Sequence, residues 1–312
     1  MELLIQRLFD GLFNGAIYAS LAVALVMIYR STGLLNLAQG ELATFGAYVA
    51  FIFAAPASAS LAGSGLVTWM PGHPYPMWGA VVLAVVVSMV MGAGIERTVF
   101  RGLENQPELA QVNVTIGLLI LFSGLTMKFW GNNGRFIPSL FPTGFEDYIG
   151  LGGARLRYST IGAWASLLVI MLLLNLLIRH TKLGLAFRAV TSNREGAELV
   201  GIPVGRTLMF GWAVAAGLGT MASTLAAGVV ILEPGIMLKL LIYSLAAATL
   251  GGLDSPKGAI VGGFVVAQAQ TLVPGYLGVP TELAVVPAVV IMLLILLVRP
   301  EGLFGTKQVK RV

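Results

Sequence analysis

The chain contains no cysteine. That absence excludes a disulfide framework, a thiolate metal site and a thiol nucleophile, and it leaves the redox compartment undefined. Charge is scarce too: Asp, Glu, Lys and Arg make up 11% of the 312 residues, against about 25% in an ordinary soluble domain. A chain so poor in charge cannot cover itself with polar surface in water. With 57% hydrophobic residues, it suits the apolar solvent of a bilayer. Histidine occurs only as His73 and His180, both near the edges of apolar segments, where interface positions are expected instead of ligands or bases. No G-x-x-x-x-G-K-[ST] run occurs, so the polypeptide has no P-loop to cradle nucleotide phosphates. No catalytic or metal-ligating cluster stands out, no cofactor is called for, and an enzyme is disfavoured. The formal charge of +5 is modest, and no nucleic-acid partner is expected.

What the chain does have is long apolar runs. Crossing a ~30 Å hydrocarbon core takes roughly 20 helical residues. Nine candidate spans meet or approach that length: Phe9–Tyr29, Glu41–Ala59, Met77–Ile95, Leu109–Trp130, Tyr158–Ile178, Thr207–Ile231, Gly235–Gly252, Gly258–Val273 and Leu283–Val298. The pair beginning at Gly235 and Gly258 is short and glycine-interrupted, which leaves a broken or re-entrant pair open as the alternative. Asp10 and Asn14 interrupt the first run, which therefore reads as a span and not as a cleaved signal peptide. The expected fold is all-α, a polytopic transmembrane helical bundle of about 8–9 membrane helices.

Lysine and arginine in short loops set the orientation. Three clusters qualify: Arg97 and Arg101; Arg179, Lys182, Arg188, Arg194 and Arg206; and Arg299, Lys307, Lys310 and Arg311. Counting crossings puts all three on one side, the cytoplasmic one, and extrapolates to an N-terminus outside. The outer side then holds Pro56–Pro76 and Gly131–Arg157, where "VTWMPGHPYPMW" and "FWGNNGRFIPSLFPTGFEDYIG" cluster aromatics at helix ends. Such aromatics suit the membrane interface, and a docking surface for an external partner is the sharper alternative.

One polar island interrupts the oily pattern, "AFRAVTSNREGAELVGIPVGR" at Ala186 to Arg206. Asn193 or Ser192 is a plausible N-cap, Glu195 falls in the first turn, and Gly201 with Pro203 are stop signals. The spacing predicts a short exposed amphipathic helix with Ala197, Leu199 and Val200 on its apolar side and Arg194, Glu195 and Glu198 facing water. The polar stretch from Arg179 to Arg206 is longer than joining two spans requires, which suggests a docking element.

Polar residues inside spans face a bundle interior or a water-filled path. The densest set is Asn36, Gln39, Gly40 and Glu41. Two readings of it are open: a glycine-rich break between helices that builds a small-molecule site near the midplane, or a turn between the first two spans. Further path candidates are Asn113 and Thr115 on the fourth span, with Gln268 and Gln270 on the eighth. Packing is the alternative for each, because Asn113, Gly117, Ile120 and Gly124 share a helical face of small residues. Gly211, Ala215, Gly219, Ser223 and Ala227 repeat every four residues, a spacing that allows close helix packing. A pattern G-x-L-[N/D]-x-x-x-G occurs twice, at Gly33–Gly40 and at Gly251–Gly258, where a shared tight helix-to-helix turn explains it more simply than internal repetition.

These residues carry a resemblance. Glu195-Gly196-Ala197-x-x-x-Gly201 resembles the E-A-A-x-x-x-G cytoplasmic loop of ABC importer permeases, with Gly196 where that loop has alanine. "LLNLAQGELATFGAYVA", "TKLGLAFRAV", "FGWAVAAGLGTMASTLAAG", "AAATLGGLDSPKGAIVGGFVVAQAQTL" and the closing "LLVRPEGLFG" are together similar to the membrane permease subunits of branched-chain amino acid ABC importers. The resemblance implies one permease domain over residues 1–312, in a bacterial cytoplasmic (inner) membrane. It implies a loop of Arg188, Asn193, Arg194, Glu195, Gly196, Ala197 and Gly201 that docks on an ATPase subunit. The partners it implies are a second permease subunit, taken as a paralogue, two ABC ATPase subunits, an external solute-binding protein and the lipid bilayer. Its solute would be a branched-chain or related small amino acid; relatives that carry urea, short amides or small aromatic and other carboxylates keep the alternative open. A stand-alone secondary transporter would need intramembrane carboxylates, and the acidic candidates Asp10, Glu41, Glu96 and Glu233 all lie near span ends.

Overall fold

Apolar segments of this chain end where glycine, proline or charge interrupts them, and the helices of the computed structural model follow that punctuation. The structure describes residues 2–55, 70–104, 106–278, 280 and 283–305. Helix α1 spans Glu2–Thr32 and stops at Gly33, whose φ of 76° is costly for residues with a Cβ. Helix α2 is Gln39–Ala54. Helix α3, Met77–Thr98, begins directly after Pro76 and is followed by a single 3-10 turn at Phe100–Leu103. Helix α4, Glu108–Trp130, begins after Pro107 and ends at Gly131. Helix α5, Tyr158–His180, is preceded by a small hairpin.

The remaining helices are α6 Lys182–Ser192, α7 Arg194–Leu199, α8 Val204–Ala227, α9 Ile236–Gly251, α10 Pro256–Leu277 and α11 Val285–Val298. The hairpin pairs strand β1, Tyr148–Leu151, antiparallel with β2, Ala154–Arg157. Its turn is Gly152-Gly153, with φ of 58° and 86°, the paired positive values a two-residue hairpin turn requires. The helical pattern gave no sign of this hairpin, which lies in the segment expected outside.

Among the described residues, six helices are long and apolar enough to cross a membrane: α1, α3 with its 3-10 turn, α4, α5, α8 and α10. The protein is thus a multi-pass helical membrane protein. Three of the nine expected spans are shorter: α2 and α9 have 16 residues each and α11 has 14. The expected second span runs past Ala55 into residues 56–59, outside the described residues; the Pro56–Trp69 part of the first aromatic segment and the basic residues Lys307, Lys310 and Arg311 lie outside them as well. The segment beginning at Gly258 is not short. Its helix starts at Pro256, capped by the Ser255 hydroxyl accepting from the Gly258 N–H at 3.1 Å, and runs 22 residues through Pro274.

The chain forms two compact units interleaved in sequence. The first comprises Met1–Val26, Phe141–Leu167 and Lys239–Val312; the second comprises Met27–Leu140 and Leu168–Leu238. In the second unit, α2, α3 and α8 pack on one another. Small residues let their backbones close up, which in a membrane replaces the hydrophobic drive between helices. A methyl group at Gly92 of α3 would lie 2.5 Å from the Trp212 carbonyl oxygen of α8. One at Gly46 of α2 would collide with Thr220 of α8. The every-fourth-residue stripe of α8 packs along its length: Gly211 meets Ser31 and Phe187, Gly219 meets Gln39 and Ala43, and the Ser223 hydroxyl donates to the Ala43 carbonyl at 2.5 Å. In the first unit the same device joins α9 to α10, where Gly251 touches Gly258 and Gly262 touches the Ala247 carbonyl.

The glycines are not equivalent, which gives a paired prediction. Gly92→Leu overpacks the α3–α8 contact, and such insertions cost about 1–3 kcal/mol or more; Gly94, two residues on, faces open space. In detergent, Gly92→Leu is expected to lower the thermal midpoint by several degrees (about 2–4 °C per kcal/mol at this size), and Gly94→Leu to leave it unchanged.

Candidate functional site

The polar island folds into two helices, where the sequence pointed to one. Thr181 caps α6, its hydroxyl accepting from the Gly184 N–H at 3.0 Å. Asn193 then serves both helices. Its backbone N–H donates to the Ala189 carbonyl at 3.0 Å, closing α6, and its side-chain oxygen accepts from the Gly196 N–H at 2.9 Å, opening α7. Of the two caps the sequence offered, Asn193 and Ser192, it is Asn193 that caps α7. At the other end, the Gly201 N–H donates to Glu198 and the Ile202 N–H to Ala197, both at 3.0 Å. With φ of 80° at Gly201 this is a Schellman stop. Its apolar contact is present: Ile202 packs on the buried cluster of Val190, Ala197, Val204 and Leu208.

The apolar side of α7 differs from the expectation. Ala197 is buried, at 4% exposure, but Leu199 is 89% and Val200 75% exposed. The Schellman turn folds the chain back at Gly201, so Ile202 takes the inner place that periodicity assigned to Leu199 and Val200. Arg188, Arg194, Glu195 and Glu198 are exposed. Gly196 is crowded by its own cap, since a methyl there would lie 2.9 Å from Asn193 Nδ2. Arg194 reaches across to Glu104, after the 3-10 turn, at 2.6 Å, and Arg101 pairs with Glu96 at 3.2 Å. Beneath α6, Phe187 is fully buried beside Phe210, with the Arg30 guanidinium 6.0 Å from its ring centroid.

The Asn36–Glu41 set is buried throughout. Asn36 caps its own turn, its side-chain oxygen accepting from the Ala38 N–H at 3.0 Å and its amide donating to Gln39 Oε1 at 3.2 Å. Gln39 donates onward to the Ala215 carbonyl at 2.9 Å. Ala215 is midway along the 24-residue α8, so α2 begins opposite the middle of a crossing-length helix and not level with its end. No side chain caps α2. Glu41, one turn in, has Oε2 buried without a partner among the described residues.

Thr115 is buried and bonds back to the Val112 carbonyl, whereas Asn113 is exposed. The face it shares with Gly117 and Gly124 packs on no described residue at those glycines, where an added Cβ would meet open space. In the first unit, Gln270 Oε1 accepts from the Tyr18 hydroxyl at 2.7 Å and from Asn14 at 3.4 Å, and Tyr18 stacks on Tyr243 with centroids 4.9 Å apart. Gln268 donates to the Leu8 carbonyl at 3.0 Å while its Oε1 is buried without a partner among the described residues. The structure brings Asn36, Gln39 and Glu41 together, and separately Asn14, Tyr18 and Gln270. Nothing in the residue pattern pointed to Tyr18 and Tyr243, because the contact joins residues far apart in the chain. Each copy of the repeated pattern turns at a left-handed glycine, Gly33 (φ 76°) at the first position of one and Gly252 (φ 103°) at the second position of the other.

A cap removed should be felt locally. Asn193→Ala costs about 1 kcal/mol, and hydrogen exchange at the amides of residues 195–200 is expected to accelerate roughly fivefold while that of α8 does not change.

A family model described as branched-chain amino acid transport system, permease component, matches residues 7–296. The high-affinity branched-chain amino acid transport system permease protein BraD of Pseudomonas aeruginosa is 30% identical over 99% of this chain and 98% of its own. LivH of Escherichia coli K12, named for the same system, is 28% identical over 99% and 97%. The xylose/arabinose import permease protein XylH of Sulfolobus acidocaldarius is 29% identical over 58% of this chain and half of its own. No solved structure matches. With a family model across nearly its whole length and a relative at 30% identity end to end, the chain belongs to the permease components of branched-chain amino acid transport systems.

Proposed function

We propose that the chain is the membrane permease subunit of an ATP-binding-cassette importer that takes up branched-chain or related small amino acids through a cytoplasmic (inner) membrane. Permeases of this class work with ATPases and a solute-binding protein. The finer assembly belongs to the proposal: residues 1–312 act as one permease domain, a second and paralogous permease completes the path, two ATPases dock from the cytoplasm, and the binding protein docks outside. The observation that carries this reading is α7. It is short, capped at Asn193, stopped at Gly201 and exposes Leu199 and Val200. An exposed apolar pair on a charged helix end offers a docking groove an apolar contact.

Coupling would run from α7 through the Schellman turn into α8. Arg188, Asn193, Arg194, Glu195, Gly196, Ala197 and Gly201 form this element, with Ala197 as its inner anchor. ATP-driven movement of the ATPases would displace α7, carry α8 and rock the helices that line the path. Of the path candidates, Asn36, Gln39, Thr115 and Gln270 are engaged with the protein's own groups. Glu41 and Gln268, in different units, each keep a buried oxygen free. A free buried acceptor supports each, taken separately, as a contact for a solute ammonium group, with Gly40 giving the approach beside Glu41 and Asn113 lying on an outer face.

In the reconstituted importer, Glu195→Ala and Gly201→Val are each expected to cut solute-stimulated ATP hydrolysis on the order of tenfold or more, within the range of ordinary coupling free energies, while the subunits stay assembled. Stimulation that survives both changes contradicts the role given to α7.

A further inference from the structure

A cavity of about 260 Å³ opens beside Arg194, at the start of α7. Its walls carry three carboxylates, Glu96, Glu104 and Glu108, and the ring pair Phe100 and Trp212, whose centroids are 4.4 Å apart. The two ion pairs already described leave this lining incompletely satisfied. Arg101 takes Glu96 Oε2, but Glu96 Oε1 is buried without a partner among the described residues; Arg194 takes Glu104 Oε2, but Glu104 Oε1 likewise finds none among them. Trp212 Nε1, a donor, also lacks an acceptor among the described residues. Glu96 is 1% and Trp212 2% exposed, and a buried polar atom left unmade costs about 1–3 kcal/mol.

The free groups are of opposite kinds: carboxylate oxygens that accept and an indole N–H that donates. A compound that satisfies both must carry a donor cation and an oxygen acceptor. Aromatic faces next to carboxylates favour an organic ammonium. Among the described residues no set of three acidic, histidine or cysteine side chains is spaced to hold a metal. The volume lies below the ~300–1,000 Å³ of sites for drug-sized ligands, which restricts the occupant to a small molecule.

We propose that this cavity binds a free amino acid, its ammonium group at Glu96 and Glu104 and its carboxylate accepting from Trp212 Nε1. An ammonium at Glu104 competes with Arg194. Occupancy therefore loosens the tie between α7 and the segment after α3, so that a cytoplasmic amino acid regulates the coupling element. The binding site stands on the cavity alone and can fail while the importer reading holds.

The test uses the cysteine-free sequence. Gln106→Cys, an exposed position at the cavity, becomes the sole thiol of the full-length permease in nanodiscs, and its labelling by an uncharged maleimide reports access. L-leucine at about ten times its half-saturating concentration is expected to slow labelling roughly tenfold by mass action. Isopentylamine, with the ammonium alone, should protect less, and isovalerate, with the carboxylate alone, should not protect. Protection by L-leucine should vanish when Glu96→Gln or Glu104→Gln is added and persist with Glu146→Gln, an exposed residue in the other unit. Labelling unaffected by L-leucine, isovalerate protecting as well as L-leucine, or protection unchanged in both cavity variants would each overturn the proposal.

Discussion

Close approach of α8 to α2 and α3 is the contact on which the second unit depends. In hydrocarbon, apolar side chains gain little by leaving lipid for one another, so helices associate by fit. Here the fit is made by what is missing. Gly46, Gly92 and Gly219 leave no room for a Cβ, and each vacancy is filled by a group of the neighbouring helix. Polar bonds then fix the register: Gln39 to the Ala215 carbonyl and Ser223 to the Ala43 carbonyl tie the two backbones at two levels. Sliding by one residue would break both bonds and drive side chains into the places the glycines keep open.

Under the proposed importer function, this interlock is what would let the polar island act mechanically. Helix α7 is not a flexible loop attached to a bundle. Its Schellman turn ends one residue before Pro203, which caps α8, and Ala197 and Ile202 are held in the same buried cluster as Val204 and Leu208. A force on the exposed end of α7 is therefore delivered to the start of α8, and through the glycine contacts to α2 and α3. The start of α2, opposite the middle of α8, brings the buried Glu41 and the bonded Asn36–Gln39 corner into the same body.

Much of this was legible in the residues, for identifiable reasons. Long apolar runs, prolines and glycines mark helix ends by local chemistry, so α3, α4 and α8 lie close to where the pattern put them. Asn193 and Gly201 were readable because capping and left-handed glycine are local effects. The second helix of the island, α6, was hidden because its start depends on Thr181, a residue next to the preceding span. Leu199 and Val200 were placed inward by helical periodicity, which cannot see the chain reverse at Gly201. The β1–β2 hairpin was masked by an aromatic-rich segment that reads equally well as interface anchors. Long-range partners were the least accessible: Gln270 with Tyr18, and Arg194 with Glu104, are separated by too much chain for spacing to relate them. Glu96 could be seen as an isolated acid near a span end, and only the folded chain shows the cavity it lines.

Rigid coupling requires α7 and α8 to move as one body. Spin labels at Glu198→Cys and Val230→Cys, both exposed positions in an otherwise cysteine-free chain, allow the distance between α7 and the turn just past the far end of α8 to be measured in the assembled importer. The expected result is the same distance, within about 2 Å, in the nucleotide-free and ATP-bound states, because a rigid body turns without stretching. A change of about one helical turn, ~5 Å, would show that α7 hinges on its own and would contradict rigid coupling.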